Sequence, residues 1–76
     1  MKLERIAGGA WFDPSKISAI WTEYSATGEG IRTVHAIVDG TEVILNNFYG
    51  SAKKSLEDAS NYIELVIAKR DIELHA

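Results

Sequence analysis

The sequence contains no cysteine and only one proline among its 76 residues. The lack of cysteine excludes both a disulfide and a thiolate-bound metal ion as a reinforcement of the fold, and it gives no indication of the redox compartment. A chain of this length hides only a little over roughly 60% of its unfolded surface. Good packing or oligomerisation must supply the remaining stability. We therefore expect one small domain, residues 1–76, that is helped by self-association.

The sequence also lacks an excess of positive charge. Eight Lys and Arg residues stand against eleven Asp and Glu residues, which gives a net charge of −3, and the charges are scattered. Proteins that bind a phosphate backbone usually carry a basic stripe. Nucleic acid is therefore a disfavoured partner, although a small local basic patch is compatible with this composition.

Long apolar runs are missing as well. No segment approaches the ~20 apolar residues of a membrane span, and the first residues do not begin the apolar region of a signal peptide. The hydrophobic content of 46% and the charged content of 25% are typical of a globular domain rather than a disordered chain. We expect a soluble cytoplasmic protein that makes no contact with a membrane.

The clearest structural signal is Asp39-Gly40, which lies between two apolar-rich segments. An Asp-Gly pair in this setting predicts a two-residue β-hairpin, because both residues tolerate the positive φ angles of a type I′ turn. Such a turn pairs Val38 with Thr41, Ala36 with Val43, and Val34 with Leu45.

The remaining patterns predict an α+β fold. Alternating residues indicate short strands at 2–6 and 10–12 around a Gly8-Gly9 turn, a strand at 17–24 after a turn at residues 13–15, and strands at 31–38 and 41–46. A 3.6-residue period then predicts an amphipathic helix with Ser55 as its N-cap. Residues 71–75 fit either a strand or a continuation of the helix. The expected architecture is an antiparallel sheet of four to five strands, with the C-terminal helix on one face.

Strict alternation assigns each side chain to one of two sheet faces. Extending the hairpin through the loop at residues 25–30 pairs Trp21 with Val34, Ala19 with Ala36, and Glu23 with Arg32. The face beneath the helix is then predicted to hold Ile17, Ala19, Trp21, Val34, Ala36, Val38, Val43 and Leu45, covered by Leu56, Ala59, Ile63, Val66 and Ile67.

The opposite sheet face, called the second face below, is more apolar than a surface that meets only water. It is predicted to hold Ser18, Ile20, Thr22, Tyr24, Ile31, Thr33, His35, Ile37, Glu42, Ile44 and Asn46. An exposed patch of this kind usually marks an interface, so we expect a protein partner or a second copy to bind at Ile20, Tyr24, His35, Ile37 and Ile44. Two alternatives remain: Trp11 and Phe12 or the N-terminal strand cover this face, or the register is wrong.

Two smaller candidates lie elsewhere. Tyr62 and Leu65 fall one turn apart on the polar side of the predicted helix and form a possible contact patch. Tyr49, in a predicted loop with Phe48, precedes Lys53 and Lys54 and provides the alternative of a nucleic-acid contact. Aromatic residues in such a loop more often close the end of the core.

The sequence carries no motif for catalysis. It has no nucleophile elbow, phosphate-binding loop or zinc-protease signature. His35 and His75 are far apart and lack a carboxylate motif, so we expect no metal site and no cofactor. His35 among isoleucines is either a space-filling residue or a titratable switch. We expect that the protein is not an enzyme.

The order of residues resembles two groups of small bacterial regulators. Residues 3–8 (Leu-Glu-Arg-Ile-Ala-Gly), Trp11-Phe12-Asp13, Gly40, and a helix that starts at a serine are similar to the FlbD/SwrD group of flagellar accessory proteins. Residues 16–20 and 38–45 resemble the RemA-type matrix regulators, which form rings and bind DNA. The resemblance implies a sheet-then-helix fold and a small regulatory role.

Together these features predict a non-catalytic protein–protein interaction module that self-associates as a homo-oligomer through the second face. Its role would be that of a small regulator or a phage-type inhibitor, that is, a phage or bacterial accessory protein. The alternative is a nucleic-acid-binding regulator that acts as an oligomer, with assembly supplying the charge density that one chain lacks.

Overall fold

The computed structural model describes residues 3–5 and 10–75, apart from the side chains of Glu73 and His75. In this part of the chain, strands β1 (Glu4–Arg5) and β2 (Trp11–Phe12) form a two-stranded antiparallel sheet. Strands β3 (Ile17–Ser25), β4 (Ile31–Val38) and β5 (Thr41–Tyr49) form a three-stranded antiparallel sheet in that order, and helix α1 (Ala52–His75) follows. The α+β prediction is confirmed, but the strands form two sheets instead of one sheet of four to five strands.

The two N-terminal strands, β1 and β2, pair with each other. Glu4 lies opposite Phe12, and Arg5 lies opposite Trp11. The predicted Gly8-Gly9 turn lies outside the described residues. The predicted turn that follows is a short 3₁₀ helix, Pro14–Lys16, capped by the Asp13 carboxylate, which accepts hydrogen bonds from Ser15 N at 2.9 Å and Ser15 Oγ at 2.7 Å. The hydrogen bond from the Ser15 hydroxyl lowers the pKa of the Asp13 carboxyl.

The Asp39-Gly40 turn forms with positive φ at both positions, 52° for Asp39 and 81° for Gly40. These angles are the ones that a type I′ turn requires. The pairs Val38–Thr41 and Ala36–Val43 are therefore confirmed. The predicted pair Val34–Leu45 is wrong, because Val34 lies opposite Asn46.

Two β-bulges account for every error in the predicted register. One bulge, at Leu45, adds a residue to β5, and the other, at Ser18, adds a residue to β3. An extra residue reverses the face of every side chain beyond it. Trp21 therefore lies opposite His35 rather than Val34, and Ala19 lies opposite Ile37 rather than Ala36.

The bulges also change the membership of the two sheet faces. Ala19 and Trp21, predicted to lie beneath the helix, share the second face with His35. Four residues predicted to lie on the second face lie on the helix side instead: Ile20, Thr22, Tyr24 and Asn46. Arg32 lies opposite Tyr24 rather than Glu23.

Helix α1 begins earlier than predicted. Ser51 rather than Ser55 acts as the N-cap, since Ser51 Oγ accepts a hydrogen bond from Lys54 N at 3.2 Å. Ser55 is completely buried and lies inside the helix. Residues 71–75 continue the helix, which resolves the alternative left open by the sequence.

The buried residues of the helix differ in part from the predicted stripe. Ala59 and Val66 are buried as expected, and Tyr62 and Ile63 pack against the same cluster. Leu56 and Ile67 are exposed, although the prediction placed them in the core. The buried cluster joins the helix to the sheet and to β2, and its members are Phe12, Ile17, Val34, Ala36, Leu45, Ala59 and Val66.

A partly buried hydrogen bond connects the end of the sheet to the start of the helix. The Tyr24 hydroxyl donates a hydrogen bond to the Gly50 carbonyl oxygen at 3.2 Å. Gly30 has a φ of 94°, and a Cβ at this position would collide with the Gly50 carbonyl oxygen and the Tyr24 hydroxyl. A glycine is therefore required at position 30.

Candidate functional site

The second face is built from four rows of side chains that cross β3, β4 and β5. The registers of the two strand pairs give these rows directly. From one end of the sheet to the other, the rows are Ala19–Ile37–Glu42, Trp21–His35–Ile44, Glu23–Thr33–Asn47 and Ser25–Ile31–Tyr49. Apolar and aromatic residues dominate the second and fourth rows, so the face differs from the polar exterior of an ordinary antiparallel sheet.

The row at the centre of this apolar surface contains a stacked pair. The rings of Trp21 and His35 have centroids 5.5 Å apart and an interplanar angle of 10°. Ile44 completes the row and is 48% exposed. The Trp21 ring is partly buried, and stacking leaves both rings of the pair little conformational freedom beside the exposed Ile44.

The His35 side chain contacts neighbouring side chains and is largely shielded from solvent. Its side chain is only 14% exposed, and its Nε2 atom lies 3.8 Å from Glu23 Oε2. Its Nδ1 atom is buried and has no hydrogen-bond partner among the described residues. The Glu23 side chain is 70% exposed, so this contact is at the border of the surface and adds little stability.

The structure brings together three of the five residues predicted to form the interface. His35, Ile37 and Ile44 lie on the second face, in two adjacent rows. The predicted placement of Ile20 and Tyr24 there is wrong, because Ile20 packs against the buried cluster and the Tyr24 ring lies 5.1 Å from the Arg32 guanidinium carbon on the helix side.

Two aromatic residues of the second face are absent from the predicted set. Strict alternation places Trp21 in the core, because it ignores the bulge at Ser18. The sequence pattern predicts that Tyr49 lies in a loop, but Tyr49 ends β5 and is exposed beside Ile31. The spacing of residues along β3 carries no clear signal of this bulge, so the sequence pattern alone could not locate Trp21 on the second face.

The N-terminal aromatic residues do not cover this face. Phe12 belongs to the buried cluster between the sheet and the helix, and Trp11 is exposed. An ion pair between Glu4 and Lys69 connects β1 to α1. These contacts attach the described N-terminal residues to the helix side of the molecule.

The two residues of the predicted Tyr62–Leu65 patch differ in their surroundings. The Tyr62 ring lies 5.7 Å from Phe48, and burial together with the nearby Glu4 carboxylate raises the pKa of the Tyr62 hydroxyl. Tyr62 is therefore part of the helix–sheet contact, whereas Leu65 is 63% exposed. The interpretation that the two aromatic residues of the predicted loop close the core is confirmed for Phe48, which packs against the buried cluster, and is wrong for Tyr49, which is exposed.

The three residues of the alternative nucleic-acid contact do not lie on one surface. Tyr49 lies on the second face, whereas Lys53 and Lys54 lie in the first turn of α1, on the other side of the sheet. Lys54 Nζ is 3.1 Å from Asp58 Oδ1, so a carboxylate offsets part of its charge.

Arg32 has a structural role that the sequence does not indicate. Its guanidinium donates hydrogen bonds to Thr22 Oγ1 at 3.0 Å, Ser55 Oγ at 3.3 Å and the Ala52 carbonyl oxygen at 3.3 Å. These three acceptors belong to β3 and to the first turns of α1. Arg32 therefore fixes the start of the helix against the sheet.

Comparisons with known proteins give no relative: no family model, no curated protein and no solved structure matches the chain. Among the side chains that the structure describes, no group of three or more histidine, aspartate or glutamate residues is placed to hold a metal ion. The described residues include no helix with the length and hydropathy of a membrane span.

Proposed function

We propose that the protein is a non-catalytic protein–protein interaction module that self-associates through the second face. The observation that carries this proposal is the stacked Trp21–His35 pair beside the half-exposed Ile44, on the sheet face opposite the helix. Aromatic residues and isoleucines at the centre of a flat patch are typical of the buried part of an interface.

The distribution of charge over the second face supports a protein partner rather than a polyanion. Apart from the Tyr49 phenol, its ionisable side chains are Glu23, Glu42 and His35, and the two carboxylates lie at opposite edges of the sheet. An interface with an apolar centre and a charged rim has this arrangement. A phosphate backbone would meet carboxylates at both edges.

The small size of the domain supports self-association as the use of this face. A chain of 76 residues without cysteine has little buried area, and the described core contains seven buried apolar residues. Packing the second faces of two copies together would bury Trp21 and Ile44, and each large side chain contributes roughly 1.5–3 kcal/mol when it is fully buried. A module of this kind would act as a small regulator or as a phage-type inhibitor of another protein.

The experiment is a measurement of molar mass in solution by light scattering for the wild type, Ile44→Lys and Leu65→Lys. Both substitutions place a lysine at an exposed apolar position, so Leu65→Lys is the matched control. We expect Ile44→Lys to have a lower molar mass than the wild type, whereas Leu65→Lys retains the wild-type mass.

A circular-dichroism melt of each variant shows whether the fold is retained. The proposal is wrong if folded Ile44→Lys has the same molar mass as the wild type, or if the wild type is a monomer at millimolar concentration. If only Leu65→Lys had a lower molar mass than the wild type, the interface would lie on the helix instead of the second face.

A further inference from the structure

The outer edge of β3 is a second surface suited to pairing. Within the part of the chain that the structure describes, β3 pairs with β4 on one side and with no strand on the other. Residues 19–25 pair with β4 without interruption, so the backbone of this segment is regular. A regular edge strand presents a row of N–H and C=O groups that fit another extended segment.

The opposite edge of the sheet is less suitable. The bulge at Leu45 divides β5 into two regular runs, residues 41–44 and 46–49. A bulge bends the strand and interrupts the row of hydrogen-bonding groups, which protects an edge from pairing. The bulge of β3 lies near its start, at Ser18, and leaves the longer run free.

An apolar flank of the helix lies along the same edge. Leu56, Ile63, Ile67 and Leu74 follow one another at helical spacing, and Leu56, Ile67 and Leu74 are exposed. Arg70 Nε donates a hydrogen bond to the Ile17 carbonyl oxygen at 3.1 Å, which places this flank beside β3.

A cleft of about 220 Å³ lies between the helix flank and the start of β3. It is lined by Ile17, Ser18, Ala19, Ile20, Ile67 and Arg70. A strand added to β3 would place alternate side chains on the helix side of the sheet, over Ile20 and against Ile67. The edge thus offers backbone hydrogen bonds and an apolar contact at the same place.

We propose that β3 of one chain pairs in antiparallel orientation with β3 of a second copy, so that two three-stranded sheets form one continuous sheet with both helices on the same side. A two-fold axis through the pair makes the contact self-complementary. This proposal concerns a different surface from the second face and does not depend on it.

The residues of β3 suit pairing with themselves. With Thr22 on the two-fold axis, Ile20 lies opposite Tyr24 of the second copy on the helix side, and Glu23 lies opposite Trp21 on the second face. Pairs of an aromatic and a β-branched residue are favourable across strands. The only charged residue of the strand, Glu23, does not face its own copy in this register.

The lack of cysteine makes a cross-linking test direct. Glu23→Cys places a single thiol on the second face at the β3 edge, and Glu42→Cys places one on the same face in β5, at the other edge. Both are made in the Ile44→Lys background, which removes the contact proposed for the second face. A short bismaleimide then joins thiols that lie near each other in an assembly.

We expect Ile44→Lys to be a two-chain particle, and Glu23→Cys in this background to give at least five times more cross-linked dimer than Glu42→Cys at equal concentration. Hydrogen exchange should also slow at alternate backbone amides of residues 19–25 as concentration rises. A folded, monomeric Ile44→Lys variant would overturn the edge proposal and leave the second-face proposal intact. Equal cross-linking of the two cysteine variants would also overturn it.

Discussion

Leu45 and Ile44 are adjacent in β5 but point to opposite faces of the sheet, and this difference predicts very different effects of truncation. Leu45 is completely buried, whereas Ile44 is 48% exposed. A buried leucine replaced by alanine costs about 2–5 kcal/mol, because a cavity adds to the lost transfer free energy. Ile44→Ala removes three carbons, each contributing ~0.8 kcal/mol when fully buried, and half-exposure reduces the total loss to about 1 kcal/mol.

The assay is thermal or urea unfolding of Leu45→Ala and Ile44→Ala at low protein concentration, so that the monomer is measured. A domain of this size has a total stability of roughly 4–11 kcal/mol. Since 1 kcal/mol shifts the Tm of a small domain by about 4–8 °C, Leu45→Ala should lower Tm by 10–20 °C or more, and Ile44→Ala by about 5 °C. Equal losses in the two variants would refute the assignment of the two faces.

Three further predictions concern the ends of the sheet. Gly30→Ala should lower the free energy of unfolding by about 1–3 kcal/mol from backbone strain alone, and a melt at wild-type Tm would contradict this. Tyr24→Phe removes the hydrogen bond to the Gly50 carbonyl and should cost about 0.5–1.5 kcal/mol in urea unfolding, whereas no change would show that this bond contributes nothing. Folding lowers the pKa of Asp13 below 3.8, so its contribution to stability is present above that pH and is lost as pH falls through the lower folded value. Stability measured from pH 5 to 2 should therefore decline less in Asp13→Asn than in the wild type, and identical curves would contradict the linkage.

Much of the fold follows from local patterns in the sequence. The Asp39-Gly40 turn, the β4 bounds and the α+β class depend on turn chemistry and on periods of two and 3.6 residues, which act over short distances. The structure places the N-cap four residues earlier than the sequence pattern does, because both Ser51 and Ser55 are residues that favour N-caps, and tertiary packing buries Ser55 within the helix.

The candidate site was less predictable, because face assignment depends on counting residues along each strand. A bulge changes that count by one and leaves no strong mark in a sequence. His35, Ile37 and Ile44 were placed correctly because they lie close to the hairpin turn, on the near side of the Leu45 bulge. Trp21 was misplaced because it lies beyond the bulge at Ser18.

The most direct test of contact at the second face uses the two tryptophans of the chain. Trp21 lies on this face, stacked on His35 of the central strand, whereas Trp11 is exposed at the N-terminal strand pair. In NMR spectra recorded from micromolar to millimolar concentration, we expect the Trp21 indole and Ile44 methyl signals to shift while the Trp11 indole signal remains fixed. An increase in molar mass without any shift at Trp21 or Ile44 would contradict the account.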